Sequence, residues 1–165
     1  VYLLYRHSPF ATGGVGEMTS VEGWVYLPGF YNHHGIKIYG GYEHQPEKNN
    51  YFGFALDFPR GYRSFRLPNR IAGSVTYAFS IACPDWDLGK LAYVSRVSGR
   101  AFYDINLAGT SAFQYTASSL GVELHAEGHA LRLVSPLQTG VRFSWLVEEQ
   151  SVAFDWLFTL NLDAF

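Results

Sequence analysis

The sequence has little charge, few lysines and a single cysteine. Only 16% of its 165 residues are charged, whereas 18% are Phe, Trp or Tyr, and lysine is confined to Lys37, Lys48 and Lys90. The aromatic content excludes intrinsic disorder, which requires few aromatics and high charge. The net charge of −2 offers no basic excess for binding nucleic acid. The one cysteine, Cys83, excludes a disulfide framework and any multi-cysteine metal site.

Long hydrophobic runs are absent as well. No stretch approaches the ~18 consecutive apolar residues of a membrane helix, and no basic-then-apolar signal peptide opens the chain. The sequence begins at Val1, and we expect a processed chain or a piece of a larger one, with 1–165 forming one domain. Many aromatics, few charges and a mean hydropathy of only −0.03 indicate an apolar outside and a polar inside, which is typical of a membrane β-barrel.

Apolar and polar residues alternate along most of the chain, and helical spacing is absent. In 71–81 the odd positions are mostly large and apolar, and the even positions are Ala, Ser or Thr; similar alternation runs through 120–130 and 152–164. Because successive side chains of a strand point to opposite faces, each segment predicts a strand with one apolar face. Strands of about ten residues match the length of a tilted transmembrane strand. The predicted strands are 1–8, 17–27, 35–43, 70–81, 92–106, 113–130, 131–146 and 151–164.

One connector is long, and several aromatic residues lie near strand ends. The connector at about 44–69 contains Pro46, Pro59 and Pro68. Connectors of that length without secondary structure are uncommon in a compact domain, so we expect this one to have a function. Aromatic residues at strand ends are typical of the two girdles of a membrane barrel. The candidates are Trp24, Tyr26, Trp86, Tyr93, Trp145 and Trp156.

Alternation alone does not say which face is inside. A soluble antiparallel barrel of the lipocalin sort, or a sandwich, also alternates, with apolar residues inside and charges outside. One predicted strand places Glu123, His125, Glu127 and His129 on a single face, and the chain has very few lysines to cover an outer surface. These observations favour a polar interior. We predict that these four side chains face it, together with Arg100 on the preceding strand.

No sequence pattern indicates catalysis or metal binding. His125, Glu127 and His129 span roughly 13 Å along one strand face, too far for a single metal ion to bind all three. No G-x-S-x-G motif, P-loop or dinucleotide-binding fingerprint occurs. Nothing in the sequence places a nucleophile or a substrate cleft beside Glu123. We therefore predict no enzymatic activity, no cofactor and no metal.

A series of motifs begins within the long connector and continues after it. They are F-P-R-G-Y at 58–62, then G-R-A-F-Y-D at 99–104, S-L-G-V-E-L at 119–124, S-P-L at 135–137 and G-V-R-F at 140–143. This order resembles BamA-type barrels, the bacterial surface-antigen superfamily of outer-membrane assembly and translocation proteins, and in particular its Bacteroidota members. The resemblance covers most of the chain, which would amount to about half of a family barrel.

The resemblance implies a fold and a set of site residues. The chain would be the carboxy-terminal half of a 16-stranded antiparallel transmembrane β-barrel, with about eight strands and with the loop 44–69 folded into the lumen. Arg60, Gly61 and Tyr62 would form the tip of that loop, and Arg60 would pair with Asp104 as a latch. The implied carboxy-terminal assembly signal comprises Trp156, Phe158, Leu160, Leu162 and Phe165.

The resemblance also implies a function and partners. The protein would insert or translocate outer-membrane proteins, or belong to an outer-membrane complex, in the outer membrane of a Gram-negative bacterium. Its partners would be the lipid bilayer, upstream barrel strands or a second copy, and other outer-membrane proteins. The alternative is a small outer-membrane or lipocalin-like barrel that binds a hydrophobic ligand or serves as a structural partner. The family commonly has a glutamate where this chain has Thr76, and we hypothesise that Glu123 takes its role.

Overall fold

The structure, a computed structural model, describes residues 2–8, 16–45, 53, 55–63, 67–87, 89, 92–110, 113–130 and 137–160. Within these residues it contains nine β-strands and no helix. The strands are β1 Tyr2–Ser8, β2 Gly16–Pro28, β3 Gly35–His44, β4 Asn69–Ala82, β5 Trp86–Asp87, β6 Ala92–Gly109, β7 Tyr115–Ala130, β8 Leu137–Leu146 and β9 Ser151–Leu160. No helix in this part of the chain has the length and apolar character needed to span a membrane.

All strands belong to one antiparallel sheet. Eight of them follow each other in the order β1-β2-β3-β4-β6-β7-β8-β9, and the short β5 pairs with the start of β6. No pairing joins β1 to β9 among the described residues, so the sheet is open. The prediction of an all-β fold with antiparallel strands is confirmed.

Strand boundaries in the described residues lie within three residues of the predicted ones. The two-residue β5 was not predicted. The predicted strand 131–146 begins in the structure at Leu137, and residues 131–136 lie outside the described part, as does the end of the predicted strand 151–164. The agreement follows from the clear alternation of the sequence, because period-two patterns are specific to strands.

Strand register collects the charged residues on one side of the sheet. Glu123 on β7 lies opposite Arg100 on β6 and opposite Arg142 on β8. Asp104, on the same side of β6 as Arg100, lies opposite Ser74 on β4. We call this side the polar face and the opposite side the apolar face. Because cross-strand neighbours share a face, the polar face continues across at least β4, β6, β7 and β8.

Burial is reversed relative to a water-soluble protein. The largest fully buried side chains are Arg70, Met18, Glu43, Asn106, Ser20, Ser119 and Ser144. Large apolar side chains of the apolar face are exposed, including Val75 (45%), Val122 (54%) and Phe158 (65%). Charged residues are almost never fully buried in soluble proteins unless they are paired. In the described part of the chain, many large apolar side chains therefore face outward, while the enclosed side carries polar and charged groups together with apolar ones such as Leu56 and Phe102.

The aromatic residues near strand ends divide between the two faces. The register places Trp86, Trp145 and Trp156 on the apolar face, and Trp24, Tyr26 and Tyr93 on the polar face. The prediction that all six belong to lipid-facing girdles is therefore wrong for the last three. Trp24 and Tyr26 occupy the side of β2 that continues into Tyr39 and Lys37 of the polar face. For Tyr93, the register shift between Val94 and Arg96 moves the side chain to the other face.

Candidate functional site

A segment of the long connector lies across the polar face and is fixed first by an ion pair. Glu43 on β3 accepts hydrogen bonds from the backbone N–H groups of Ala55 (2.7 Å) and Leu56 (3.1 Å). Arg70 on β4 lies 3.6 Å from Glu43, donates to the Leu56 carbonyl at 3.2 Å, and stacks 3.9 Å above the ring of Phe58. Both charged side chains are fully enclosed. We call this pair the loop anchor, because it fixes where the segment enters the polar face.

The anchor was not predicted, although the sequence contains a signal for it. Glu43 and Arg70 have opposite charges, stand next to the ends of the connector, and are direct cross-strand partners. Opposite charges at paired positions of neighbouring strands attract one another. The alternation of each strand taken alone does not give this pairing, since it leaves the register between strands open.

The tip of the loop is a tight turn. The backbone N–H of Tyr62 donates to the carbonyl of Pro59 at 3.1 Å, and Gly61 has a φ of 89°. Glycine is preferred at the third position of such a turn because other residues rarely adopt positive φ. A Cβ added to Gly61 would also lie 2.9 Å from the Leu146 side chain and 3.0 Å from Ser144. Glycine is therefore required both by the turn and by the close approach to β8.

Arg60, at the second position of this turn, forms an ion pair with Asp104 on β6. Its Nε donates to Asp104 Oδ2 at 3.0 Å and its Nη2 donates to Oδ1 at 3.2 Å, which makes a two-pronged contact. The backbone N–H of Arg60 donates to the same carboxylate at 3.1 Å. Ser74 on β4 donates to Asp104 Oδ1 at 2.6 Å. The forked geometry fixes the orientation of the guanidinium, which a lysine could not do.

The Nη atoms of Arg60 also donate to residues on two further strands, β4 and β7. Nη1 donates to Glu123 Oε1 at 3.1 Å, and Nη2 donates to the hydroxyl of Thr76 at 2.8 Å. The guanidinium lies 3.9 Å above the ring of Phe102, in a cation–π contact. Thr76 is thus an acceptor for Arg60, and Glu123 supplies a second carboxylate. The structure brings Arg60, Asp104 and Glu123 together.

Glu123 connects Arg60 to the last two strands. Its enclosed carboxylate accepts a hydrogen bond from Arg142 Nε at 2.7 Å, and it lies 3.0 Å from His125 Nε2. Arg100 stands further away, at 3.7 Å. Arg142 in turn lies 3.7 Å from Asp155 on β9. One carboxylate therefore joins the loop tip directly to side chains on β7 and β8, and through Arg142 to β9.

Tyr62 makes the third contact between the loop and the sheet. Its hydroxyl donates to Glu148, in the turn 147–150, at 2.6 Å. The same carboxylate accepts from the backbone N–H (2.7 Å) and the hydroxyl (2.6 Å) of Ser118. Burial and the hydrogen bond to Glu148 raise the pKa of Tyr62 to about 12. Burial would raise the pKa of Glu148, but the bonds from Ser118 and Tyr62 outweigh it and hold that pKa below its usual value.

The other predicted residues lie apart from these contacts. Glu127 accepts a hydrogen bond from Gln138 at 3.3 Å, and His129 is exposed at the far end of β7. Trp156, Phe158 and Leu160 project from the exposed apolar face of β9. The remaining members of the predicted assembly signal, Leu162 and Phe165, lie outside the described residues. Within the part of the chain that is described, no group of three His, Cys, Asp or Glu is placed to hold a metal ion.

A cavity of about 740 Å³ lies between the loop and the polar face. Its charged lining residues are Lys37, Asp57, Arg60, Arg100, Asp104, Glu123 and Arg142. Sites for hydrophobic small molecules are lined mainly by apolar and aromatic groups, with few polar ones. The lining of this cavity is mixed, because Tyr26, Phe58 and Pro59 lie beside these charged side chains.

Replacing Arg60 by lysine should weaken the loop contact. Arg60→Lys keeps the charge but loses the fork on Asp104, and we expect a loss of about 1–3 kcal/mol in the free energy of unfolding. The measurement is the denaturant midpoint of the protein in detergent micelles. Arg63→Lys, an exposed position in the same loop, is the matched control and should change nothing. Equal midpoints for the two variants would show that the fork contributes no stability.

Gly61→Ala should be destabilising for two reasons, the positive φ and the contacts with β8. We expect a cost of about 1–3 kcal/mol, which the same denaturation experiment measures. Gly53→Ala is the control, because a Cβ added there has no atom within 4 Å and Gly53 lies in the same connector. A Gly61→Ala variant as stable as Gly53→Ala would mean that the tip does not sit against β8.

Comparison of the chain with protein-family models, with curated proteins and with solved structures finds no match in any of the three. The functional interpretation therefore depends on the geometry above and on the motifs of the sequence.

Proposed function

We propose that this chain is the carboxy-terminal wall of an outer-membrane β-barrel of the surface-antigen type, with its loop held inside the lumen. The reversed burial of the sheet carries this proposal. Glu43, Arg70 and Asp104 are enclosed, while Val75 and Val122 are exposed on the opposite face. An apolar exterior around a polar interior is the arrangement that a bilayer requires of a barrel.

The aromatic residues at one end of the apolar face support the same placement. Around the turn between β2 and β3, the His34 ring lies 2.6 Å from the Tyr77 hydroxyl, and the two ring centroids are 5.5 Å apart. Phe79 packs 6.1 Å from Tyr77, and Phe30 is 84% exposed. Rings that combine a polar tip with an apolar body are enriched at the boundary between lipid and water.

The open edges of the sheet favour a larger barrel. In hydrocarbon, unpaired backbone groups along β1 and β9 would each cost several kcal/mol. In a bilayer these edges must therefore pair with other strands. Upstream strands of the same protein, or a second copy, would close the barrel, and eight long strands would make half of a barrel of about 16.

The activity that we propose is mechanical. Arg60, Asp104 and Glu123 hold the loop against the inner wall, and the barrel assists insertion or translocation of other outer-membrane proteins, alone or within an outer-membrane complex. This requires no covalent chemistry, cofactor or metal. The activity itself is inferred from the motif resemblance, and the barrel from the reversed burial.

Fluorescent labels on the two faces test the membrane placement. In a Cys83→Ser background reconstituted in vesicles, a label at Val75→Cys should be quenched several-fold more by brominated acyl chains than by aqueous iodide, because Val75 is on the apolar face. A label at Ala78→Cys, which lines the cavity, should show the reverse preference. A label at Glu149→Cys, in an exposed turn, gives the value for full aqueous access. If iodide quenched the Val75 label as strongly as the Glu149 label, the bilayer placement would be excluded.

A folding assay tests the assembly activity separately. The intact protein in vesicles should accelerate insertion of a urea-unfolded small outer-membrane barrel. Arg60→Ala should reduce this acceleration about tenfold, which corresponds to roughly 1.4 kcal/mol in the barrier, whereas Arg63→Ala should not. If the wild-type protein does not accelerate insertion, the assembly activity is rejected. The quenching of the fluorescent labels still tests the membrane barrel independently.

A further inference from the structure

The loop tip lies against both strands and the turn of the last hairpin of the sheet. Gly61 lies so close to β8 and β9 that an added Cβ would be 2.9 Å from Leu146 and 3.1 Å from Ala153. The Tyr62 hydroxyl donates to Glu148, in the turn that joins these strands, at 2.6 Å. Two neighbouring residues of the loop therefore meet both strands and the turn of one hairpin.

Glu148 also binds the strand next to the hairpin. Its carboxylate accepts the backbone N–H and the hydroxyl of Ser118 on β7 in addition to Tyr62. The backbone N–H of Val147 donates to the carbonyl of Ser118 at 3.0 Å. This single carboxylate joins three parts of the chain that are distant in sequence, namely the loop, the start of β7 and the hairpin turn.

From these contacts we infer that Gly61 and Tyr62 form a strap that holds the β8–β9 hairpin against β7, with Glu148 as its receptor. The hairpin needs such support because β9 is paired on one side only among the described residues. An edge strand opens more readily than a central one, since fewer hydrogen bonds and contacts must break. Tyr62 and Glu148 are thus positioning residues for the edge of the sheet.

The contacts of the strap are separate from the contacts that Arg60 makes. Arg60 binds Asp104 and Thr76, which lie on β6 and β4, in the middle of the sheet. Its path to β9 is indirect, through Glu123 and Arg142 to Asp155, and the last step of that path is 3.7 Å long. Loss of the Tyr62 hydroxyl should therefore loosen the hairpin while the loop stays seated.

The inference deepens the proposed function and rests on it in one respect. If the chain is part of an outer-membrane barrel, β9 is an edge at which other strands pair, and the strap regulates how readily that edge opens. The contact itself does not depend on a membrane. Its test can therefore fail or succeed independently of the labelling and folding experiments.

Amide hydrogen exchange of the intact protein in detergent micelles tests the strap. Tyr62→Phe removes only the donated hydroxyl, and we expect exchange in β8, β9 and their turn to rise about tenfold, with β3, β4 and β6 unchanged. Glu148→Ala should raise exchange in the same elements at least as much, because it removes the acceptor of the Tyr62 hydroxyl and of both Ser118 groups. The double variant should not exceed Glu148→Ala alone, since that change already removes the bond from Tyr62.

Tyr42→Phe is the matched control. It also removes a tyrosine hydroxyl that donates a hydrogen bond, here to Asn69 at 3.3 Å, far from the last hairpin. This variant should leave exchange in β8 and β9 at the wild-type level. Unchanged exchange of the hairpin in Tyr62→Phe would overturn the strap. A rise that extends to β4 and β6 would overturn it too, because the hydroxyl would then seat the whole loop rather than the hairpin.

Discussion

An arginine placed on an enclosed face must find an acceptor for each of its N–H groups, because every unpaired one would cost free energy. Arg60 finds its acceptors in Asp104, Glu123, Thr76 and Ser74, which come from three different strands. The position of one guanidinium therefore determines which polar residues must stand opposite one another on β4, β6 and β7. The small and charged residues of these strands are the consequence of this requirement.

The loop is attached at three points that follow its course across the sheet. The anchor of Glu43 and Arg70 holds it at β3 and β4, Arg60 holds it over β4, β6 and β7, and Tyr62 reaches the turn after β8. Each attachment combines charge with hydrogen bonds, and each uses a different set of strands. The segment thus spans most of the width of the sheet, which a single ion pair could not achieve.

The sequence predicted the strands and the faces well because alternation with a period of two carries both kinds of information. It also predicted that Arg60 pairs with Asp104. That prediction came from the motif resemblance and from the alternation that places Asp104 on the polar side of its strand. The sequence did not predict the partnership of Glu43 with Arg70, which depends on the register between strands. Nor did it predict the register shift in β6 that turns Tyr93 to the polar face, since an irregular residue leaves no trace in a simple alternation.

The three central strands are longer than a bilayer needs. β4 has 14 residues, β6 has 18 and β7 has 16, whereas about 9–11 residues cross the hydrocarbon. In the proposed placement, about 7 to 9 of the 18 residues of β6 would extend beyond the lipid into water. The protein would then offer a stiff projection next to the membrane surface, whose height is set by strand length and not by loop conformation.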